Sequence, residues 1–322
     1  MDGTLTCRGC SGRYAVSRGV PRLLSGVLAA EVEQTVDAFG FEWHHANRML
    51  KDERFSSAPV FLDFIDPVRP EWFRDKVVLD AGCGLGRFTK LAAGFGARLA
   101  VGVDLSRAVD AAFDNTRHLP NVVIVQGNIL SLPIAPRVDY AFSVGVLHHT
   151  ADPRGAFLHV VSKVVPGGSM SAWVYGREHN GWIIHGLNPI RRLTSRLPRA
   201  VLLAASYLLA VPLTLAVKAI YGPVSRRPAL AWLRPGLFYF EYMAFLSQFD
   251  FATLAFIVFD HAVPTIAEYI RREAFAEWFE AARLERVVIT MRGGNSWRGF
   301  GVVGQPKARR PEPDPAVADV PD

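Results

Sequence analysis

The chain has 322 residues, 50% of them hydrophobic, a formal net charge of +6 and three cysteines. That length can bury a large core, as one domain with an insertion or as two, so the fold has no need of disulfides. Three thiols and no charged-then-apolar leader at Met1 argue against secretion, and the expected location is cytoplasmic.

Residues 1 to 24 carry Leu5-Thr6-Cys7-Arg8-Gly9-Cys10 followed by Arg13 to Val16 and Gly19 to Leu24, which resembles the second half of a zinc ribbon. A structural zinc takes four ligands, usually from two such pairs. Cys83 belongs to a glycine turn and supplies no second pair, so no metal is expected here. A first pair upstream and decay to a small β-hairpin explain the remnant equally well. Residues 25 to 75 read as a helical lead-in, with Val27, Leu28, Val32 and Val36 at helix-compatible spacing ahead of Phe39-Gly40-Phe41-Glu42-Trp43, placed to cover a ligand.

The apolar run Val77-Val78-Leu79 ends in Asp80 and opens through Ala81-Gly82-Cys83-Gly84-Leu85-Gly86 onto a helix start at Arg87. Such a turn lets a ligand reach the backbone above a helix N-terminus. Dinucleotide folds place glycines at the first, third and sixth positions; Arg87 occupies the sixth, which weakens an NAD or FAD reading. A second strand, Leu99 to Val103, ends in Asp104 about 20 residues after the turn, where an acid can accept both ribose hydroxyls.

Val122 to Val125 runs into Gln126-Gly127-Asn128-Ile129, and Tyr140 to Val144 runs into Gly145-Val146-Leu147-His148-His149. Asp152 and Pro153 start a helix over Ala156 to Val164, Pro166-Gly167-Gly168 stops it, and a fifth strand covers Ser169 to Val174. After a long insertion come a helix near Ala267 to Ala282, a strand Arg286 to Met291, a glycine turn Arg292 to Asn295 and a last strand Trp297 to Val303. The tail from Gln305 alternates proline with charge and is expected to be disordered. In an open α/β sheet the ligand crevice lies outside the carboxyl ends of the strands, so these loops converge on one cleft.

Through DAGCGLGR, VGVDLS, QGNILSLP, GVLHHTADP and VVPGGSMSAWVYG, an ordered set across residues 77 to 176, the chain resembles class I S-adenosylmethionine-dependent methyltransferases, and within them the quinone-biosynthesis type. Phe39 to Trp43 and Asn295 to Gly299 look like segments of bacterial members of that branch. The resemblance implies a Rossmann-like, seven-stranded, mostly parallel sheet with an antiparallel last strand, a helical insertion, S-adenosyl-L-methionine as cofactor and a small-molecule or lipid acceptor. It implies that Gly82, Gly84 and Gly86 cradle the methionine and ribose portion, with Asp80 drawing the ammonium. Asp104, beside Leu105, would hold the ribose; Asn128, where many relatives carry aspartate, and Ile129 would contact adenine; Val144 and Gly145 would offer backbone groups. His149, or His148, is the candidate general base, against a structural role in the loop ahead of Asp152. Tyr175, His179 and His185 are the candidates to orient the acceptor. Two other readings stay open, a non-catalytic cofactor-binding adaptor at a membrane surface and an NAD-type oxidoreductase.

The insertion, residues 177 to 260, has no acidic residue from Gly181 to Phe240, yet holds Arg191, Arg192, Arg196, Arg199, Lys218, Arg226, Arg227 and Arg234. Its uncharged run Ala200 to Val217, interrupted by Pro212, approaches the roughly 20 apolar residues of a membrane span. Residues 181 to 235 therefore read as an interfacial hairpin on an anionic bilayer, peripheral at its inner face, or as a cap buried against Phe238 to Phe259, or as a span. Arginines flanking an apolar run do not make the aromatic-interleaved groove of single-strand binders, so no nucleic acid partner is expected.

Overall fold

The computed structural model describes residues 2–9, 11–24, 57–135, 137–189, 194, 197–262 and 267–305. Cys10, most of the lead-in including Phe39 to Trp43, Arg191, Arg192, Arg196 and the tail after Gln305 lie outside the described residues. The N-terminal segment folds as β1 (Gly3–Thr6), β2 (Arg13–Ser17) and β3 (Val20–Leu23), an antiparallel meander. After α1 (Ala58–Phe64), strands and helices alternate: β4 (Val77–Ala81), α2 (Arg87–Gly94), β5 (Leu99–Asp104), α3 (Ala108–Thr116), β6 (Val122–Gly127), β7 (Val138–Val144), α4 (Pro153–Val161) and β8 (Val164–Tyr175). The insertion carries α5 (Arg199–Ala216), continued by a π-helical turn at Val217–Tyr221 into α6 (Gly222–Arg226), then α7 (Phe240–Leu246) and α8 (Phe251–Ala262). Helix α9 (Arg272–Ala281) and the hairpin of β9 (Leu284–Arg292) and β10 (Ser296–Val303) follow.

The strands form one sheet in the order β1-β2-β3-β6-β5-β4-β7-β8-β10-β9. Neighbours from β3 to β8 run parallel, and β10 is antiparallel to both β8 and β9. The expected seven strands are those from β6 to β9; the sheet has ten because the N-terminal meander adds to the edge of β6. An open edge there would leave ladder groups unpaired. Strand β3 covers it at Arg22↔Gln126 and Leu23↔Gly127, and Arg22 fixes the dock by donating to Gln126 Oε1 (3.1 Å) and Asp110 Oδ1 (2.6 Å). The Pro166-Gly167-Gly168 triplet is also placed differently. Helix α4 ends before it and β8 runs through it, the register with β7 jumping from Val138↔Val164 to Tyr140↔Ser169. Gly168 permits this, since a β-carbon there would lie 2.7 Å from the Asp139 carbonyl oxygen.

Alternation along the strands divides the core into two layers. Leu79, Ala141, Phe157, Met170 and Phe279 pack on one face of the sheet, and Val78, Tyr140, Phe142, Phe61 and Phe88 on the other. The insertion has its own cluster of Val217, Tyr221, Leu246, Phe249 and Leu254. Along α5, Leu202, Ser206 and Ala210 share a buried face, Leu202 against Phe259 of α8. Leu208 and Leu215, 74% and 65% exposed, face outward. The buried-cap reading thus describes one face of this helix only. By length and composition Ala200–Arg226 can cross a membrane, and 22% of its most apolar stretch is buried.

Candidate functional site

The glycine turn after β4 is built as its spacing implies. Gly82, Gly84 and Gly86 all have positive φ, 95°, 51° and 75°, which glycine adopts without a steric penalty. A β-carbon on Gly82 would lie 2.2 Å from Val146, so the turn closes tightly on the loop after β7. Asp104 ties the turn to the next loop: Oδ2 accepts from the Gly84 N–H (3.0 Å), and Oδ1 accepts from the Ser106 N–H (2.8 Å) and hydroxyl (2.7 Å). Burial raises its carboxyl above the usual range in spite of these bonds. The Leu105 carbonyl accepts from Gln126 Nε2 at 3.0 Å.

Asp80 is buried and accepts a 2.6 Å bond from Thr89 Oγ1. Burial pushes its pKa up to about 7, opposed by that bond. Asn128 Oδ1 accepts from the Leu130 N–H at 2.9 Å, which commits its carbonyl to the loop and leaves its N–H groups for a ligand. Ile129 is buried.

At the end of β7, Val144 and Gly145 border a cavity of about 150 Å³. Arg87, His149, Trp173 and Tyr175 wall its core side, and Tyr242, Phe245, Asp260 and His261 its insertion side, with Phe64, Tyr269 and Arg292 between them. His149 and Tyr175 are thus brought together, their rings edge to face at 5.6 Å. His148 is fully buried beneath them, 4.0 Å from the Tyr175 ring, and neither ring nitrogen has a hydrogen-bond partner among the described residues. Burial, with His149 beside it, holds its pKa well below the ordinary histidine value. A ring so placed stays neutral and packs the loop, which removes the reason for assigning it a proton. His179 and His185 are exposed and do not line the cavity; His179, at φ 62°, donates Nδ1–H to the Gly294 carbonyl (2.9 Å).

The insertion-side residues escaped sequence reading, although Asp260-His261 closing the apolar run Phe251 to Phe259 was a usable signal. Arg292 is buried, donates to Asp63 (2.6 Å) and lies 4.1 Å over the Phe64 ring. Burial pushes Arg87 down to about 10, offset by the charges of Asp260 and Asp80. A second cavity, about 440 Å³, is lined by Arg154, Arg177 and Arg271 together with Asp152 and Glu268, and shares Tyr269 with the first.

Residues 79–172 match the family described as "Methyltransferase domain". A tRNA U34 carboxymethyltransferase of Ruthia magnifica is 40% identical over 143 residues, covering 37% of this chain and 43% of that protein. The enzyme of the same name from Psychromonas ingrahamii is 31% identical over 115 residues, covering 34% and 35%. The chain thus spans less than half the length of these curated relatives. The magnesium protoporphyrin IX methyltransferase of Synechocystis with bound S-adenosylmethionine has a TM-score of 0.46 at 12% identity, covering 86% of this chain and 99% of that one. Residues 79–172 are thus similar to methyltransferase domains, and the glycine cradle with Asp104 and Asn128 has the form of a site for S-adenosylmethionine. The expectation of no nucleic acid partner, with a small-molecule or lipid acceptor, is corrected: the relatives' shared name specifies tRNA. A stacking groove is only one route to RNA, since affinity also comes from phosphate contacts scattered along the chain.

Proposed function

We propose that the chain transfers the methyl group of S-adenosylmethionine to an acceptor carried on an RNA, with the reacting group seated in the cavity between the end of β7 and the insertion. The observation that carries this reading is the position of Gly145, which directly follows the last residue of β7, beside the backbone expected to meet the methionine portion, and also lines the cavity. Asp104 would hold the ribose, Asn128 and Ile129 the adenine, and Asp80 the ammonium. Methyl transfer is an in-line displacement that disperses the sulfonium charge, so positioning in a water-poor cavity supplies most of the effect. The relatives' name, the net charge of +6 and the three arginines, Arg154, Arg177 and Arg271, that outnumber Asp152 and Glu268 in the second cavity support an RNA carrier.

The test pairs calorimetric titration of S-adenosylmethionine with transfer of its labelled methyl group to total tRNA. Arg177→Glu combined with Arg271→Glu is expected to lower transfer about tenfold or more with cofactor affinity unchanged. Label that survives ribonuclease digestion of the acceptor fraction would exclude an RNA carrier.

A second reading concerns location. The outward apolar face of α5, with Leu208 and Leu215, supports residence at a membrane surface. Liposome flotation is expected to be lost in Leu208→Glu/Leu215→Glu with the melting temperature unchanged.

A further inference from the structure

We infer that Trp182 and Phe238 form a stacking platform for an unpaired base of the RNA, beside the cavity; the inference rests on the RNA-carrier reading above. Trp182 is 43% exposed and Phe238 55% exposed, and they come from opposite ends of the acid-free segment Gly181 to Phe240. Their rings meet edge to face at 5.4 Å, and Trp182 also stands edge-on to Tyr239 at 5.6 Å. Phe238 and Tyr239 stack at 5.1 Å with 20° between their planes. A single exposed aromatic is common on any surface, whereas large rings exposed in mutual contact mark a binding surface. No interleaving of arginine and aromatic residues along the chain announces this patch, because only the fold brings its two rings together.

The rings are fixed before any ligand arrives. Asn180 is buried, lines the cavity and donates Nδ2–H to the Gly176 carbonyl (2.6 Å) and the Asn295 carbonyl (2.7 Å). Both partners can only accept, so its own carbonyl oxygen faces the Tyr239 hydroxyl, which donates to it. Asn180 thereby ties the aromatic cluster to the end of β8 and to the turn between β9 and β10. The Phe238 carbonyl accepts from the Tyr221 hydroxyl at 2.9 Å. Tyr239 holds a left-handed backbone, φ 54°, a conformation that persists only where the surroundings over-determine it. Rings held this way lose little freedom on binding, which leaves more of the stacking attraction as affinity.

The neighbourhood selects the occupant. The Tyr239 ring lies 6.1 Å from that of Tyr242, and Trp182 stands in the chain between Asn180 and Ile183; Asn180, Ile183 and Tyr242 all line the cavity. A strand whose reacting group enters the cavity therefore carries an adjoining nucleotide across the two rings. Arg226 and Arg227 of the acid-free segment are exposed. Of the acids that flank it, Glu178 is engaged by the Arg272 N–H (2.8 Å) and Trp297 Nε1 (2.7 Å), and Glu241 is exposed. The resulting positive excess complements a phosphate backbone, and every base has a π face, so the platform adds affinity with little sequence preference.

The test titrates the full chain into a dye-labelled single-stranded RNA of about ten nucleotides, followed by fluorescence anisotropy. Trp182→Ala/Phe238→Ala is expected to weaken binding by about tenfold or more, with the melting temperature and S-adenosylmethionine affinity unchanged. The slope of log affinity against log salt is expected to stay as in the wild type, because no phosphate contact is removed, and Trp182→Phe is expected to keep most of the affinity. Affinity of the double variant within about twofold of wild type overturns the proposal. So does a shallower salt slope, which would mean that the rings act only by holding cations in place. Flotation on vesicles of anionic phospholipid tests the other occupant: vesicle binding lost in the double variant with RNA affinity retained assigns the rings to a bilayer and overturns the platform. A wild type that labels tRNA alongside either result keeps the RNA-carrier reading, whereas one that neither binds RNA nor labels tRNA removes that reading and the platform with it.

Discussion

Gly82 and Asp80 stand two residues apart, and each makes a separate demand on the same turn. At Gly82 both the positive φ and the 2.2 Å approach to Val146 exclude a side chain. Gly82→Val is expected to weaken S-adenosylmethionine binding by at least about tenfold in calorimetry, because the turn must open by an amount costing on the order of 1–3 kcal/mol. Asp80, with its pKa raised to about 7, sets a pH dependence whose sign can be worked out. Between its ordinary value and about 7 the folded state holds a proton that the unfolded state has lost. Its contribution to the stability of the unliganded protein is therefore full at acid pH and declines as pH rises toward 7. A ligand ammonium favours the ionised form, so cofactor affinity should rise as pH passes upward through about 7, and Asp80→Asn should flatten that rise. A pH-independent dissociation constant in the wild type would rule out Asp80 as the ammonium partner.

At the scale of elements, long-range ion pairs hold the helices and hairpins to the sheet. Asp63 of α1 receives Arg292 of β9 at 2.6 Å and Arg298 of β10 at 2.7 Å. Arg292 is 8% exposed and Asp63 46%, so the pair is only partly screened. Asp63→Ala is expected to cost about 2 kcal/mol in denaturant unfolding, less than the loss of a fully buried pair. A change below about 0.5 kcal/mol would show that the arginines find other partners. These pairings join residues more than two hundred positions apart, and no local pattern announces them. The glycine turn and Asp104 were readable because their partners lie within about 20 residues and are constrained by backbone geometry. The tenth-strand count was not, since β3 meets β6 through only two register pairs, too short a contact for alternation to register.

At the scale of the whole molecule the parallel core and the insertion enclose the cavity jointly. The insertion keeps its own apolar cluster around Val217, Phe249 and Leu254. Disturbing its cavity face should therefore separate binding from turnover. Tyr242→Ala/Phe245→Ala is expected to leave S-adenosylmethionine affinity within about twofold while methyl transfer to tRNA falls by about tenfold or more, since positioning is lost without touching the cofactor turn. Equal losses in both measurements would mean that the insertion supports the cofactor site itself.

The sequence by itself determined the order of strands β4 to β8, the glycine turn and its two acids, and the hairpin that ends the described chain. These features follow from backbone conformation and from contacts between neighbouring βα units. Only the tertiary structure decided which side chains meet at the cavity. His149 and His261 share one cavity, while His148, adjacent to the first, is packed away beneath it, and His179 and His185 stand outside. Which face of a loop side chain meets a distant helix depends on how the insertion folds back over the sheet, and hydrophobic spacing along one segment carries no information about that approach.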